Sequence, residues 1–412
     1  MKITVLTYGT EGDVRPLAAL CAALDRAGHA TQLLADASTL GSAQRLGVAT
    51  QPLAGDIAGG SDASGSIAHV IGRSERPSEA ARALVQIANR HAAAWLRQTL
   101  DAARASDLIL ASGLAGFVGL AAAEALRRPV IGLGMFPLTP TQAFAYPFLP
   151  PDKVWHRLNR LSHHVVNGFL WRSFRPALNR ARAEVCGLPA LRRMPADHPI
   201  LYGYSPTLLP RPDDWPARVE VCGQWTLPMP DWEAPAALRR FLDAGPPPVY
   251  IGFGSMGGFD AARLRDALVQ GLAGRRALFY PGWSRVDVSG LPATVHVLGD
   301  TPHDWLFPQT ACVVHHGGSG TTHSAARAGV PSIVVPFAGD QPFWAHRLAL
   351  AGVAPPAVPG ARFGAADLAR GLAFADRADV RERARALGEA LRAEDGLGHA
   401  VAAIERRAAA AG

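Results

Sequence analysis

One stretch of this sequence gathers residue types that suit an anion. Val313-Val314-His315-His316-Gly317-Gly318-Ser319-Gly320-Thr321-Thr322-His323 reads as the end of a strand, three glycines, and a helix that starts on hydroxyl residues. Glycines allow another group to approach the backbone closely. A helix N-terminus exposes unpaired N–H groups and carries partial positive charge, so the arrangement suits a phosphate or diphosphate. His316 stands at the mouth of the loop, placed to donate a hydrogen bond or a positive charge to the same anion. The run lacks the GKS or GKT ending of a Walker A loop and the full dinucleotide fingerprint. Taken alone, it also reads as a set of tight-turn glycines.

A second group follows the apolar run 331–336. Phe337-Ala338-Gly339-Asp340-Gln341-Pro342 places Asp340 and Gln341 at a strand's carboxyl end, the usual place for ligand contacts in an open α/β sheet. Capping of the next helix, with Pro342 as its first residue, is the structural alternative for Asp340. An adjacent carboxylate and carboxamide also grip vicinal hydroxyls, one by accepting and the other by accepting and donating. A diphosphate cradle followed by a hydroxyl clamp describes a nucleotide-sugar site.

The elements that must hold these groups come in two series. Residues 2–7 alternate β-branched and apolar side chains, end in Gly9-Thr10-Glu11-Gly12-Asp13, and give way to Val14, Leu17, Leu20, Cys21 and Leu24 at helical spacing. Short strands are expected at 31–34, 108–111 and 129–133, with helices at 79–104 and 114–127 between them, which implies a parallel sheet covered on both faces. Residues 54–76, rich in Gly, Ser and Asp, form an expected long loop of the kind used as a lid. Prolines crowd between 206 and 248, which puts a domain boundary near 210–235. Beyond it a strand at 249–253 opens into Gly254-Ser255-Met256-Gly257-Gly258, a helix at 260–272 follows, and strands are expected at 277–280, 295–298, 311–314 and 332–335. The expected organisation is a Rossmann-like domain over 1–215, a linker over 216–235, a second Rossmann-like domain over 236–397, and a final helix over 398–412 crossing back to the first domain.

Composition sets outer bounds. The chain has 412 residues, 49% hydrophobic and 18% charged, so it can bury two cores and is no solvating disordered segment. Its net charge is +7, almost all from arginine because only Lys2 and Lys153 are lysines. With 34 acidic residues interspersed, the excess permits an anionic substrate or membrane surface without calling for nucleic acid. Cys21, Cys186, Cys222 and Cys312 lie far apart with no CxxC, which fits a reducing cytoplasm and points to no zinc site or disulfide framework. No signal-peptide pattern follows Met1, and no apolar run reaches the roughly 20 residues that span a bilayer. Residues 153–193 are helical in pattern, basic and aromatic. They read either as a solvated face over a core or as a surface for lipid headgroups or an amphiphilic substrate, leaving peripheral contact at the inner membrane face open.

Residues 297–356 run from Leu298-Gly299-Asp300-Thr301-Pro302-His303 through the His316 loop to Asp340-Gln341 and Gly352-Val353-Ala354-Pro355-Pro356. They resemble the donor-binding signature of GT-B glycosyltransferases, and within these the sterol glucosyltransferase-like and antibiotic-type branch of the UDP-glycosyltransferase family. Gly9-Thr10-Glu11-Gly12-Asp13-Val14-Arg15-Pro16 is similar to the opening motif of that branch, and Tyr250-Ile251-Gly252-Phe253-Gly254-Ser255-Met256 to its central motif. No motif matches between about residues 55 and 200, so the acceptor is unreadable. The resemblance implies inverting sugar transfer without a metal or other cofactor, in line with the missing DxD triplet. It implies that His316 and the backbone near Gly318, Ser319, Gly320 and Thr321 bind the diphosphate, with Gly12 and Ser255 facing it. Asp340 and Gln341 would hold the sugar, and Pro302 and His303 would lie beside the nucleobase. Trp283 matches a Gly-Trp-Gly element only in part, and Asp300 stands where plant relatives carry a base-stacking tryptophan.

Inversion requires a base for the acceptor hydroxyl and stabilisation of the departing diphosphate. Asp13, at the end of the first strand, matches the position of the branch's catalytic carboxylate; a helix N-cap is its structural alternative, and a helix N-terminus would lower its basicity unless the closed cleft desolvates it. The expected activity is transfer of a hexose from UDP-glucose to a lipophilic hydroxyl compound such as a sterol, polyketide or lipid. Two alternatives stay open: a dTDP-deoxysugar (rhamnosyl) transferase and a non-catalytic nucleotide-sugar-binding protein.

Overall fold

A computed structural model describes residues 1–57, 77–226, 232–254, 256, 260–282, 284 and 286–411. The first half runs β1 (Lys2–Leu6), α1 (Glu11–Arg26), β2 (Ala30–Asp36), α2 (Gly41–Arg45), β3 (Ala49–Leu53), α3 (Pro77–Ala103), β4 (Leu108–Ser112), α4 (Gly116–Leu126), β5 (Val130–Gly134), α5 (Asn159–Cys186), β6 (Ile200–Tyr202) and β7 (Val219–Val221). Its strands are parallel in the order β3-β2-β1-β4-β5-β6-β7. The second half runs α6 (Ala236–Asp243), β8 (Val249–Gly252), α7 (Ala261–Asp266), β9 (Ala277–Tyr280), β10 (Val295–Val297), α8 (His303–Leu306), β11 (Cys312–His315), α9 (Ser319–Ala328), β12 (Ser332–Val334), α10 (Gln341–Leu350), α11 (Ala365–Ala375), α12 (Ala378–Arg392) and α13 (Gly396–Ala411). Its parallel order is β10-β9-β8-β11-β12.

The near-continuous apolar runs follow from burial on both faces: β4 is buried throughout, β8 likewise, and β1 in all but its first residue. In each sheet the first three strands run outward to one side and the fourth crosses back to the other side of the first, so β1 and β4 in one, and β8 and β11 in the other, flank a crevice at their carboxyl ends. The glycine-rich loops expected to carry chemistry leave from β1, β8 and β11, and the loop holding Asp340 and Gln341 leaves from β12.

Residues 219–221, assigned from sequence to the linker, instead form the edge strand of the first sheet, pairing Val219 with Ile200 and Val221 with Tyr202. The surrounding prolines flank this strand rather than interrupt it, and an edge position tolerates them. β3 escaped the sequence reading because it mixes polar residues and a proline into five positions, and β6 because it is only three residues long. The helix expected at 260–272 is α-helical to Asp266 and continues as a π-turn over Ala267–Gly271. Most of the expected lid, residues 58–76, lies outside the described residues.

Two contacts tie the halves together. Tyr202, Tyr204 and Trp215 from the first half share one core with Phe343, Trp344 and Leu348 of α10. The chain also returns: Ala400, Ala403 and Ile404 of α13 are fully buried among Leu17, Leu20 and Leu24 of α1. At the crossing, a side chain at Gly396 would run into the backbone of Gly223 and Gln224. Because Ile404 fills the first-half core from the far end of the sequence, Ile404→Ala is expected to destabilise the protein by about 2–5 kcal/mol, read as a lower urea midpoint. An unchanged midpoint would mean that α13 is not integral to that core.

Candidate active site

Asp13 sits in the third position of α1, and Thr10, not Asp13, is the N-cap. The Asp13 Oδ2 accepts from the Thr10 N–H at 2.8 Å and from its hydroxyl at 3.3 Å. The carboxylate fills the space a side chain at Gly9 would need, which is why a glycine precedes the cap. The helix terminus and the Thr10 bonds favour the charged form, yet burial outweighs them and raises the pKa to about 6. The lowered basicity expected from a helix start is therefore reversed: this carboxylate is a stronger base than an exposed aspartate and still ionised above neutrality.

Across the cleft, the β11 loop is braced from within. His315 is fully buried, and its Nδ1 accepts the Gly317 N–H at 3.1 Å. Gly317 has φ of 90°, a left-handed conformation that favours glycine. The His316 ring then lies between two glycine loops: an added Cβ would come within 2.5 Å of its Nε2 at Gly318 and within 3.5 Å of its Cε1 at Gly254. Its Nδ1 has no hydrogen-bond partner among the described residues. Burial lowers the His316 pKa to about 4, so the resting ring is a neutral hydrogen-bond donor and not the cation that the sequence left open.

Gly318 caps α9, and the amides of Ser319, Gly320 and Thr321 form its first turn, where helix geometry leaves N–H groups without partners. The Ser319 hydroxyl is already engaged, donating to the Met135 carbonyl of the first half at 2.8 Å. Gly12 is exposed on the first turn of α1. Ser255 and Trp283 lie outside the described residues.

Pro302 caps the short α8, and His303 stacks on Phe307 with ring centroids 4.2 Å apart. Burial, followed by the charges of Arg15 and His316, lowers the His303 pKa to about 4. Asp300 meets the Arg15 guanidinium of α1 at 3.4 Å across the cleft, and Arg15 also pairs with Glu11 at 3.1 Å.

Asp340 occupies the N-cap position of α10 without capping it; its Oδ2 accepts from the Trp344 indole N–H at 2.7 Å. Helix α10 begins at Gln341, so Pro342 is its second residue and not its first. Burial is the main cause that raises the Asp340 pKa to about 7; the Trp344 bond opposes it, and the Asp13 charge adds to it. Gln341 is buried, its Oε1 accepting from the N–H groups of Phe337 and Ala338 at 2.7 and 3.1 Å and its Nε2 meeting the Met256 sulfur at 3.2 Å. In this arrangement Gln341 braces the loop, and Asp340 is the half of the expected hydroxyl clamp that faces the cleft.

The fold thus brings Asp13 within electrostatic reach of Asp340, and His303 within reach of His316 and Arg15. Sequence reasoning missed Arg15, Met135 and Trp344. Arg15 and Trp344 each left a local signal, an i,i+4 spacing from Glu11 and from Asp340; Met135 acts through a contact between elements remote in sequence.

Residues 278–394 match the family described as "Erythromycin biosynthesis protein CIII-like, C-terminal domain". The chain is 32% identical over 430 residues to a sterol 3-beta-glucosyltransferase of Arabidopsis thaliana, covering 98% of this chain and 68% of that one. It is 32% identical over 431 residues to a sterol 3-beta-glucosyltransferase of Emericella nidulans, covering 98% of this chain but only 30% of that protein. Among solved structures it resembles the glycotransferase of kitacinnamycin, with a TM-score of 0.69 at 20% identity over 98% of both chains. It also resembles the glycosyltransferase VinC in complex with DTDP, at 0.68 and 19% identity over 99% of both. At this identity the likeness is one of fold.

The raised pKa of Asp340 has a consequence for stability. The folded protein binds this proton more tightly than the unfolded chain does, so ionisation removes stability as pH rises from about 4 towards 7. Asp340→Asn keeps an acceptor for the Trp344 indole and removes the charge. Its Tm is expected to exceed that of the parent at pH 8 and to match it at pH 4; equal Tm values at both pH values would contradict the buried carboxylate.

Proposed function

The chain belongs to the UDP-glycosyltransferase family of GT-B fold, and from that membership we propose that it transfers a hexose, from UDP-glucose, to a hydroxyl of a lipophilic acceptor with inversion and without a metal. The observation that carries this reading is the meeting in one cleft of Asp13 from the first half with His316, the α9 N-terminus and Asp340 from the second. The named relatives, both sterol 3-beta-glucosyltransferases, support glucose and a lipophilic alcohol.

In the proposed reaction the acceptor oxygen attacks the anomeric carbon on the face opposite the diphosphate. A new carbon–oxygen bond forms, the bond to the β-phosphate oxygen breaks, and its electron pair leaves with the nucleoside diphosphate. Asp13 takes the acceptor proton, a task that its burial favours. The first-turn N–H groups of α9 and the neutral His316 imidazole stabilise the charge that develops on the leaving phosphate. Asp340 accepts from sugar hydroxyls, Gln341 holds the loop that presents it, and Pro302 and His303 border the nucleobase.

His316→Ala is expected to lower kcat by about 100- to 1000-fold with the fold intact; near-normal turnover would remove His316 from the site. Asp13→Asn should abolish turnover while nucleotide binding by calorimetry persists, and unchanged turnover would return Asp13 to a purely helix-stabilising role. Because the base acts only when ionised, activity should fall as pH drops through about 6, and EDTA should leave turnover unaffected. Mass spectrometry of products from a panel of nucleotide sugars and hydrophobic alcohols tests the whole reading. Use of a dTDP-deoxysugar in place of UDP-glucose would replace the donor, and donor binding without product would favour a non-catalytic role.

A further inference from the structure

Helix α5 carries two apolar faces, and only one of them is covered. Trp171, Phe174 and Leu178 pack into the core formed with α3. Leu158, Leu161, Val165 and Phe169 recur at three- and four-residue spacing on the opposite side, within an arc of about 80°. They are 45%, 54%, 61% and 55% exposed, and Trp155, just before them, is 81% exposed. An apolar stripe of this length on a free helix face marks an interaction surface.

The charge around it says what kind. No acidic residue occurs between Asp152 and Glu184. Lys153, Arg157, Arg172 and Arg175 are exposed and have no ion-pair partner among the described residues, whereas Arg160 and Arg182 are paired with Asp214 and Glu124. A second copy of this chain would bring like charges together over such a stripe. An anionic lipid leaflet satisfies both features, taking the aromatic and aliphatic side chains into its interface and the cations at its headgroups. Among the described residues no helix is long and apolar enough to cross a membrane, so the contact is peripheral.

We propose that this face of α5, with Trp155 and Lys153 at its leading end, docks the protein on an anionic bilayer. A groove of about 180 Å³, bordered by Leu149, Val154 and Asn159 on one side and Phe343 and Leu350 on the other, opens beside the stripe between the two halves. Leu350 at its rim is itself 63% exposed. The groove's use as an acceptor entrance rests on the proposed transfer to a lipophilic alcohol; the docking does not.

The test is co-sedimentation of the full chain with vesicles of phosphatidylcholine alone or mixed with phosphatidylserine. Binding is expected only to the mixed vesicles, weakening with salt and by about fivefold for each of Arg157→Gln and Arg172→Gln. Trp155→Ser combined with Phe169→Ser should abolish it while Tm and turnover of a detergent-dispersed alcohol remain unchanged. Equal binding to both vesicle types, no binding to either, or retention of binding by the Trp155/Phe169 variant would overturn the proposal. So would a concentration-dependent dimer that this variant abolishes. Vesicle binding by a protein that transfers no sugar would leave the docking intact and remove the activity instead.

Discussion

The Trp344 indole joins the packing of the two halves to the chemistry between them. Its ring is fully buried, set edge-on to Tyr204 at 5.7 Å and to His323 at 4.8 Å, and its N–H ends on the Asp340 carboxylate. Tyr204 belongs to the first half and His323 to α9, so one side chain is gripped by both partners of the cleft. Arg347, one helical turn short of the end of α10, adds a bond to the Leu208 carbonyl at 3.2 Å. A cleft closed only by exposed ion pairs such as Arg15–Asp300 would open readily, because such pairs contribute about 0–1 kcal/mol each. The apolar seam through Trp344 is what holds Asp340 opposite Asp13.

The same closeness sets protonation states. A helix N-terminus favours a carboxylate's charge by about 0.3–1 kcal/mol at the surface, less than one pKa unit at 1.36 kcal/mol per unit, whereas desolvation in a cleft shifts a group by more, rising to about 3–5 units when burial is complete. Burial therefore prevails at Asp13 and Asp340, which are raised, and at His316 and His303, which are lowered. The outcome is a cleft with basic carboxylates and neutral imidazoles, suited to taking a proton from a hydroxyl and donating hydrogen bonds to an anion.

Much of this was legible in the amino-acid sequence, for identifiable reasons. Strands buried on both faces read as apolar runs, and glycines required by close approach at Gly9 and Gly318 or by a left-handed backbone at Gly254 and Gly317 mark the loops after β1, β8 and β11. The edge strand β7 was hidden because three residues among prolines carry too little pattern. Other side-chain contacts were hidden for a different reason: residue type says that an amide or hydroxyl can meet a partner, but not that Gln341 meets Met256 or that the Ser319 hydroxyl meets the Met135 carbonyl.

The sequence by itself determined the two α/β halves, the anion-suited start of α9 and the presence of carboxylates just beyond the ends of strands, since these depend on local periodicity, glycine placement and helix polarity. Only the tertiary structure decided which of those groups share a site, which are braced and which are free, and what charge each carries. Those properties arise from contacts and desolvation between segments remote in sequence, such as Arg15 with Asp300, 285 residues apart, and Ser319 with Met135, 184 apart, and no local pattern encodes them.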